Sequence, residues 1–221
     1  VTTPPGRSKF TQALSTAGFA MRSHYLVYGI ELADSDYPVE PTVSVELRPG
    51  MSLRDYLDDV FGQMRGYEYE VVSAHLVSIR PKGATQDPDN ILNLRIPRVD
   101  IVDANAGSIM AFPDWFIPEL RAKLFPPEPG RPQIFQYMGP VALGPRVTVH
   151  LRDATVREVL NAVAIATETP RGDGGDDAPY GWIFRTRDPS GAKKPYWGVT
   201  WCLPPNWRQL VHFTGTGKPL Q

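Results

Sequence analysis

Two stretches of this chain repeat nearly the same pattern, roughly one hundred residues apart. Residues 43–48 read VSVELR and residues 147–152 read VTVHLR, at an offset of 104 positions. Residues 52–60 read SLRDYLDDV and residues 155–163 read TVREVLNAV, at an offset of 103 positions. Such self-similarity predicts two copies of one small structural module, with one more residue in the connecting turn of the first copy.

Each copy is predicted to be a strand that leads into a helix. The alternation of apolar and polar residues over 42–48 is typical of a half-buried strand. Ser52 and Asp55 then have the spacing of a capping box, and Thr155 and Glu158 repeat it in the second copy. Apolar residues at helical spacing follow both caps, so both helices are expected to cover a sheet with one face.

The remainder of the first copy reads as a complete small module. Apolar spacing predicts a helix over 8–21 and a strand over 25–32. A hairpin is predicted from strands over 67–72 and 76–80. The module therefore has the order α-β-β-α-β-β and ends near Lys82.

A polar, turn-rich linker is expected at 83–90, before a second and more divergent copy. Pro97 confines the first strand of that copy to an edge or a bulge, and Pro113 and Pro118 interrupt its helical region. The predicted segments are a strand over 92–102, helical structure over 107–124, a proline-rich insertion over 125–145, the repeated strand and helix, and a hairpin from 180–187 and 196–202.

These segments predict the α+β class, as two tandem small two-layer α/β sandwiches with helices on one face of a short mixed sheet. The first domain spans 1–85. The second spans 90–221 and contains the proline-rich insertion and a tryptophan-rich hairpin. Each is long enough to form a thin core without disulfides.

Composition excludes several classes of protein. The 23 basic and 24 acidic residues give a net charge of −1, which argues against a nucleic-acid binder. No apolar run approaches the roughly 20 residues of a membrane helix, so the chain is not expected to span a membrane. A single cysteine, Cys202, allows no intramolecular disulfide and is interpreted as a buried apolar side chain.

No catalytic constellation is found, and the chain is predicted to be a non-enzyme without cofactors. The four histidines, His24, His75, His150 and His212, lack metal-ligand spacing and are interpreted as solvated. The acidic glycine loop at 172–177 carries carboxylates that suit Ca²⁺, but not at the spacing of a calcium hand. A solvated loop is the preferred interpretation, and calcium binding stays open.

Tryptophans concentrate near the carboxyl end of the chain. Trp182, Trp197 and Trp201 are predicted to line one face of the second hairpin. Two interpretations follow: they fill the core, or they form a platform for a protein partner or a glycan, since aromatic side chains anchor interfaces.

The stretch from 8 to 80 resembles the short N-terminal domain shared by secretins and TonB-dependent receptors. Tyr56 stands where that family often has alanine. The second copy, from 92 to about 202, matches most clearly at 147–163. The matching features of the first copy are Phe10, Ala13 and Leu14 in the opening helix, the strands at 26–28 and 43–47, the helix start Ser52-Leu53 with Leu57, Tyr67 and Tyr69, and the strand at 76–79.

The resemblance implies a non-enzymatic bacterial cell-envelope protein whose short domains bind other envelope proteins. It implies a periplasmic or otherwise exported location. The chain begins at Val1, and a signal peptide is expected to have been removed. The alternative is binding of glycan or peptidoglycan by the tryptophan-rich hairpin. The oligomeric state is left open.

Overall fold

The computed structural model describes residues 8–9, 13–14, 27–33, 41–46, 48, 50–126, 144–167, 180–185 and 196–201. Helices and strands are mixed, which confirms the α+β class. The strands are β1 (Ser8–Lys9), β2 (Val27–Leu32), β3 (Thr42–Val43), β4 (Tyr67–Val71), β5 (Leu76–Pro81), β6 (Arg95–Asn105), β7 (Arg146–Thr155), β8 (Tyr180–Arg185) and β9 (Tyr196–Trp201). The helices are α1 (Leu53–Gln63), α2 (Ala106–Ala111), α3 (Pro113–Phe116), α4 (Pro118–Leu124) and α5 (Val156–Ala166), with a 3-10 turn at Ile91–Asn93.

Strand β2 lies in the middle of a five-stranded sheet of order β4-β5-β2-β8-β9. It runs parallel to both neighbours, and each neighbour forms an antiparallel pair with an edge strand. Every side chain of β2 is buried, as expected for a strand covered on both faces. Since β8 belongs to the predicted second domain, residues of 1–85 and 90–221 share one sheet. The expectation of a separate sheet in each module is corrected accordingly.

The two repeated helices lie on opposite faces of this sheet. Helix α1 packs against the face that carries Tyr28 and Ile30. Helix α5 packs against the other face, with Val27, Trp182 and Phe184. The prediction of helices on one face of each sheet is therefore replaced by helices on both faces of a shared sheet.

Strands β6 and β7 form a separate antiparallel two-stranded sheet. Its apolar side chains, such as Ile101 and Val149, join the same core as α2 and α5. Those two helices contact both β8 and the β6–β7 pair, so they lie between the two sheets. The layers are therefore α1, the five-stranded sheet, the pair of helices, and the β6–β7 sheet.

The β6–β7 sheet has a symmetry that the sequence analysis missed. Each strand has an aspartate with a φ of 49° near its end, Asp103 in β6 and Asp153 in β7, three residues before the start of the helix that follows. The arginine that begins the opposite strand pairs with each aspartate. Arg146 Nε lies 2.7 Å from an Asp103 carboxylate oxygen, and Arg95 Nε lies 2.8 Å from that of Asp153. Positive φ at a non-glycine residue is uncommon, so these ion pairs mark two equivalent strand-to-helix turns.

Several local predictions are confirmed. Both hairpins form, from β4–β5 and from β8–β9. The helical region after β6 is divided at Pro113 and Pro118, each of which begins a new short helix. Strand β6, which contains Pro97, has β7 as its sole strand partner among the described residues, as an edge strand should.

The strand predicted over 42–48 is shorter than expected, because β3 ends at Val43. The backbone of Ser44 is bonded by a side chain instead. Gln63 accepts from Ser44 N and donates to Ser44 O, both at 2.9 Å. The side-chain amide of Gln63 in α1 therefore bonds the Ser44 backbone where a neighbouring strand would otherwise do so.

The opening helix also differs from its prediction. Ser8 and Lys9 pair with β3, so the helix does not begin at Ser8. Ala13 and Leu14 are helical, and most of the other predicted helix residues lie outside the described part. The Tyr56 hydroxyl donates to the Ala13 carbonyl oxygen at 2.8 Å, and burial raises the pKa of Tyr56 to about 12. Tyr56 thus holds the opening helix against α1.

Candidate functional site

The two helices of the repeated pattern begin in the same way. In α1, the Ser52 hydroxyl accepts from Asp55 N at 3.1 Å, and the Asp55 carboxylate accepts from Ser52 N at 3.2 Å. In α5, Thr155 and Glu158 form the same reciprocal bonds, at 3.2 and 2.6 Å. Both predicted capping boxes are confirmed, and their role is to start helices.

A buried ion pair connects the start of helix α5 to β2, the central strand of the sheet. Arg157, the second residue of α5, places Nη2 2.7 Å from a carboxylate oxygen of Glu31 in β2. Their side chains are 7% and 5% exposed, which makes this the most buried ion pair among the described residues. Arg157 Nη1 also donates to the Asn93 side-chain oxygen at 2.5 Å, and the Asn90 side chain donates to Glu31.

This network connects both halves of the chain and the segment between them. The predicted linker at 83–90 is therefore not a free connection, since Asn90 is bonded to Glu31 and Ala84 is buried. Removing a charge from water has a large energetic cost unless the charge is paired and hydrogen-bonded. Glu31 and Arg157 meet that condition by pairing with each other, so their arrangement is that of a structural link.

The predicted tryptophan platform is corrected for two of its three members. Trp182 is 1% exposed and Trp197 is 8% exposed, so both fill the core and neither presents its indole to a ligand. Trp182 donates from Nε1 to Asn161 at 3.0 Å, and the Trp197 ring lies 4.6 Å from that of Phe184. Trp201 pairs in register with Tyr180, and its side chain lies outside the description.

The Trp182 indole explains the glycine opposite it. Gly29 of β2 pairs in register with Trp182, and a Cβ at Gly29 would lie 2.6 Å from the indole ring. That separation is shorter than any real contact of a Cβ atom. Gly29 is therefore required because the indole covers the backbone there.

The polar residues considered from the sequence are dispersed. His150 Nδ1 lies 2.9 Å from an Asp100 oxygen on the exposed side of the β6–β7 sheet, and His75 lies in a turn. Hydrogen bonds from His150 and Arg98 hold the pKa of the Asp100 carboxyl below its ordinary value. Within the described ranges no three potential metal ligands come together. His24, His212, Cys202 and the loop at 172–177 lie outside the described residues.

Two depressions are present on the described surface. One, of about 240 Å³, lies between residues 44–48 and α1 and includes the exposed Arg48–Asp59 ion pair. The other, of about 280 Å³, lies between β6 and residues 116–119, and its walls include Val99, Phe116 and Ile117. Polar and charged residues form most of the lining of the first depression, whereas the second combines apolar residues with Arg98, Asp100 and Glu119.

Strand β4 presents one edge away from the central sheet. Val72 N donates to Leu76 O, and Lys82 N donates to Gly66 O, so the hydrogen-bonded pairs of this antiparallel hairpin fall at every second residue. Tyr69 and Val71 occupy the alternate positions, so their backbone N–H and C=O groups point away from β5. In the part of the chain that the structure describes, β4 has no strand on that side.

Comparison with family models, curated proteins and solved structures finds no match for this chain. No helix within the described ranges is both long enough and apolar enough to cross a membrane.

Proposed function

We propose that this chain is a non-enzymatic bacterial cell-envelope protein of the secretin and TonB N-terminal domain type, and that it binds another envelope protein. Its resemblance to that family at Ser52-Leu53, Leu57 and the Tyr67 hairpin supports the assignment. Glu31 and Arg157, which form the most buried ion pair of the described residues, are paired with each other, and this supports a binding role over catalysis.

The observation that carries the proposal is the outward edge of β4. An exposed strand edge binds an extended segment of a partner through main-chain hydrogen bonds. The Val71 side chain is 54% exposed, so an apolar contact is available at the end of that edge. Strand addition is therefore the mode of binding that we propose.

The charges beside this edge select the partner. Glu68 and Glu70 share one cation, Arg80, each at 2.8 Å. The sheet face at this edge thus carries one uncompensated negative charge. Opposite charges placed across neighbouring strands are stabilising. We expect a partner segment with Lys or Arg on the side that meets Glu68 and Glu70.

The experiment is capture from envelope extract with edge-blocked protein. Val71→Pro removes an N–H that points outward and leaves the bonds to β5 in place. Val71→Ala retains that N–H and serves as the matched control. We expect one defined protein to be enriched by the wild type and by Val71→Ala, and lost with Val71→Pro.

Two results would count against the proposal. Equal recovery by all three proteins would place binding away from β4. Recovery of no specific protein, together with a cytosolic location of the native chain in fractionated cells, would overturn the envelope function itself.

A further inference from the structure

Strand β4 presents two faces of different chemistry to a segment that pairs with its outward edge. Successive side chains of a strand alternate between the two faces of a sheet. Tyr67 is part of the apolar cluster beneath α1 and Tyr69 packs against that cluster, so Val71 lies on the same face. Glu68 and Glu70 lie on the opposite face.

The edge is open over a short length. Tyr67 is 6% exposed, and its hydroxyl accepts a hydrogen bond from Ala33 N at 2.8 Å, so the first residue of the strand is covered. The strand ends at Val71. The outward main-chain groups that a partner can reach are therefore those of Tyr69 and Val71. A segment of roughly five residues spans this length, since a strand rises about 3.3 Å per residue.

The face beneath α1 continues as apolar surface to the edge. The Tyr69 hydroxyl donates to an Asp58 carboxylate oxygen at 2.7 Å, and the Tyr69 ring lies 5.1 Å from that of Phe61. Both aromatic residues are half-buried, and Val71 is 54% exposed. An added strand would cover this surface with its own side chains. Because two contacts already hold the Tyr69 ring, little further ordering of that ring is needed on binding.

The opposite face carries more negative than positive charge. The Arg80 guanidinium donates to Glu68 and to Glu70, each at 2.8 Å. The Glu68 and Glu70 side chains are 39% and 57% exposed, so both carboxylates remain accessible. Two carboxylates that share one guanidinium leave one negative charge, and a cation on an added strand would compensate it.

The two faces together determine the pattern of a bound segment. Residues directly opposite each other on neighbouring strands lie on the same face of the sheet. The residues opposite Tyr69 and Val71 therefore cover the apolar surface, and the residues that alternate with them lie beside Glu68 and Glu70. Main-chain hydrogen bonds supply affinity in this mode, and the alternate side chains supply specificity.

We infer that the segment bound at β4 is a short amphipathic strand in which apolar residues alternate with Lys or Arg. The inference rests on the proposed binding at the β4 edge and names the chemical class of the partner. A segment that alternates with acidic residues would place like charges beside Glu68 and Glu70. A wholly polar segment would leave the surface of Phe61, Tyr69 and Val71 without an apolar contact.

The test is a nuclear magnetic resonance titration of the isotope-labelled chain with three capped hexapeptides. The first alternates valine with lysine. The second alternates threonine with lysine, which keeps the charge and the side-chain shape but removes the apolar face. The third alternates valine with glutamate. We expect the valine–lysine peptide to shift the amide signals of Tyr69 and Val71, and to bind about tenfold or more tightly than the other two.

Three variants check the location and the role of charge. Val71→Pro should abolish binding of the valine–lysine peptide, because an outward N–H is lost. Glu70→Lys should reverse the preference in favour of the valine–glutamate peptide, and Arg80 keeps Glu68 as a partner in that variant. Glu119→Lys makes the same change of charge in α4 and should leave the preference unchanged. Circular dichroism of each variant checks that the fold is retained.

Equal binding of the three peptides would overturn the inference, and so would the absence of any shift at Tyr69 and Val71. Either result, together with envelope capture that is lost in Val71→Pro, would leave the proposed function in place and remove only the amphipathic pattern. The expected peptide preference, together with envelope capture that recovers nothing specific, would instead overturn the envelope function alone.

Discussion

Helices α1 and α5 have nearly the same sequence pattern and the same type of cap, yet they occupy different environments. Helix α1 buries Tyr56, Leu57 and Val60 and covers an outer face of the central sheet. Helix α5 buries six of its eleven residues and lies between two sheets. The comparison shows that a local pattern determines where a helix begins and which stripe is apolar. The layers that surround the helix determine how much of it is buried.

The largest expected difference concerns Arg157, because its counterpart in α1, Arg54, is exposed. Replacing one partner of a buried ion pair leaves the other charge uncompensated, at a cost of about 3–5 kcal/mol. We expect Arg157→Met to lower the free energy of unfolding by that amount in chemical denaturation. Arg48→Met, which removes the exposed pair with Asp59, is the control and should change stability by less than about 1 kcal/mol.

If the two variants had equal effects, the Glu31–Arg157 link would contribute nothing beyond an exposed pair. A double variant tests the Glu31–Arg157 ion pair itself. Adding Glu31→Leu to Arg157→Met should recover part of the lost stability, because no unpaired charge is then buried.

The second prediction compares equivalent leucines in the two helices. Leu57 of α1 and Leu160 of α5 are both fully buried. Leu160 has a packed sheet on each side, so its surroundings should relax less around a cavity. We expect Leu160→Ala to cost about 4–5 kcal/mol and Leu57→Ala about 3 kcal/mol, within the usual range for such changes. Denaturation curves of both variants check this, and a larger effect at Leu57 would contradict the difference in layering.

The third prediction compares two glycines. Gly29 faces the Trp182 indole at an impossible distance for a Cβ, whereas Gly62 in α1 has nothing within 4 Å. Gly29→Ala should destabilise by about 1–3 kcal/mol through overpacking. Gly62→Ala should stabilise by about 0.5–1 kcal/mol, since alanine favours the helix.

The indole gives this comparison a spectroscopic check. Gly29→Ala should alter the near-ultraviolet circular dichroism of the buried Trp182, and Gly62→Ala should leave it unchanged. Trp182→Leu should remove most of the penalty of Gly29→Ala. An unaltered stability of Gly29→Ala would show that the strand and the indole separate easily.

The sequence predicted what depends on neighbouring residues. Ser52 and Thr155 were identified as caps because a capping box needs residues only three positions apart. The parallel pairing of β2 with β8 was not predicted, because an apolar strand buried on both faces carries no pattern that selects its neighbour. Glu31 was a missed signal. A carboxylate inside an otherwise apolar strand requires a buried partner, and Arg157 is 126 residues away.

The tryptophans show the same limit. Trp182, Trp197 and Trp201 were correctly assigned to one hairpin, since alternation reveals strands. Whether the hairpin face was buried depended on how α2 and α5 pack against it, which the alternation within the hairpin does not reveal. The site prediction therefore failed for Trp182 and Trp197, where core packing replaced a binding surface.

The smallest expected difference is between the two caps, and it should be near zero. Ser52→Ala and Thr155→Ala each remove a bond to a helix N-terminus, which costs about 1 kcal/mol wherever the helix lies.

Ser52 also lowers the pKa of Asp55 by donating hydrogen bonds to its carboxylate. A lowered pKa in the folded state adds stability above the ordinary carboxyl pKa, and that stability is lost as pH falls through the folded value. We therefore expect the effect of Ser52→Ala in urea titrations to shrink as the pH is lowered below about 4. A Thr155→Ala effect several times larger than that of Ser52→Ala at neutral pH would mean that capping is not local, and that the surrounding layers contribute to it.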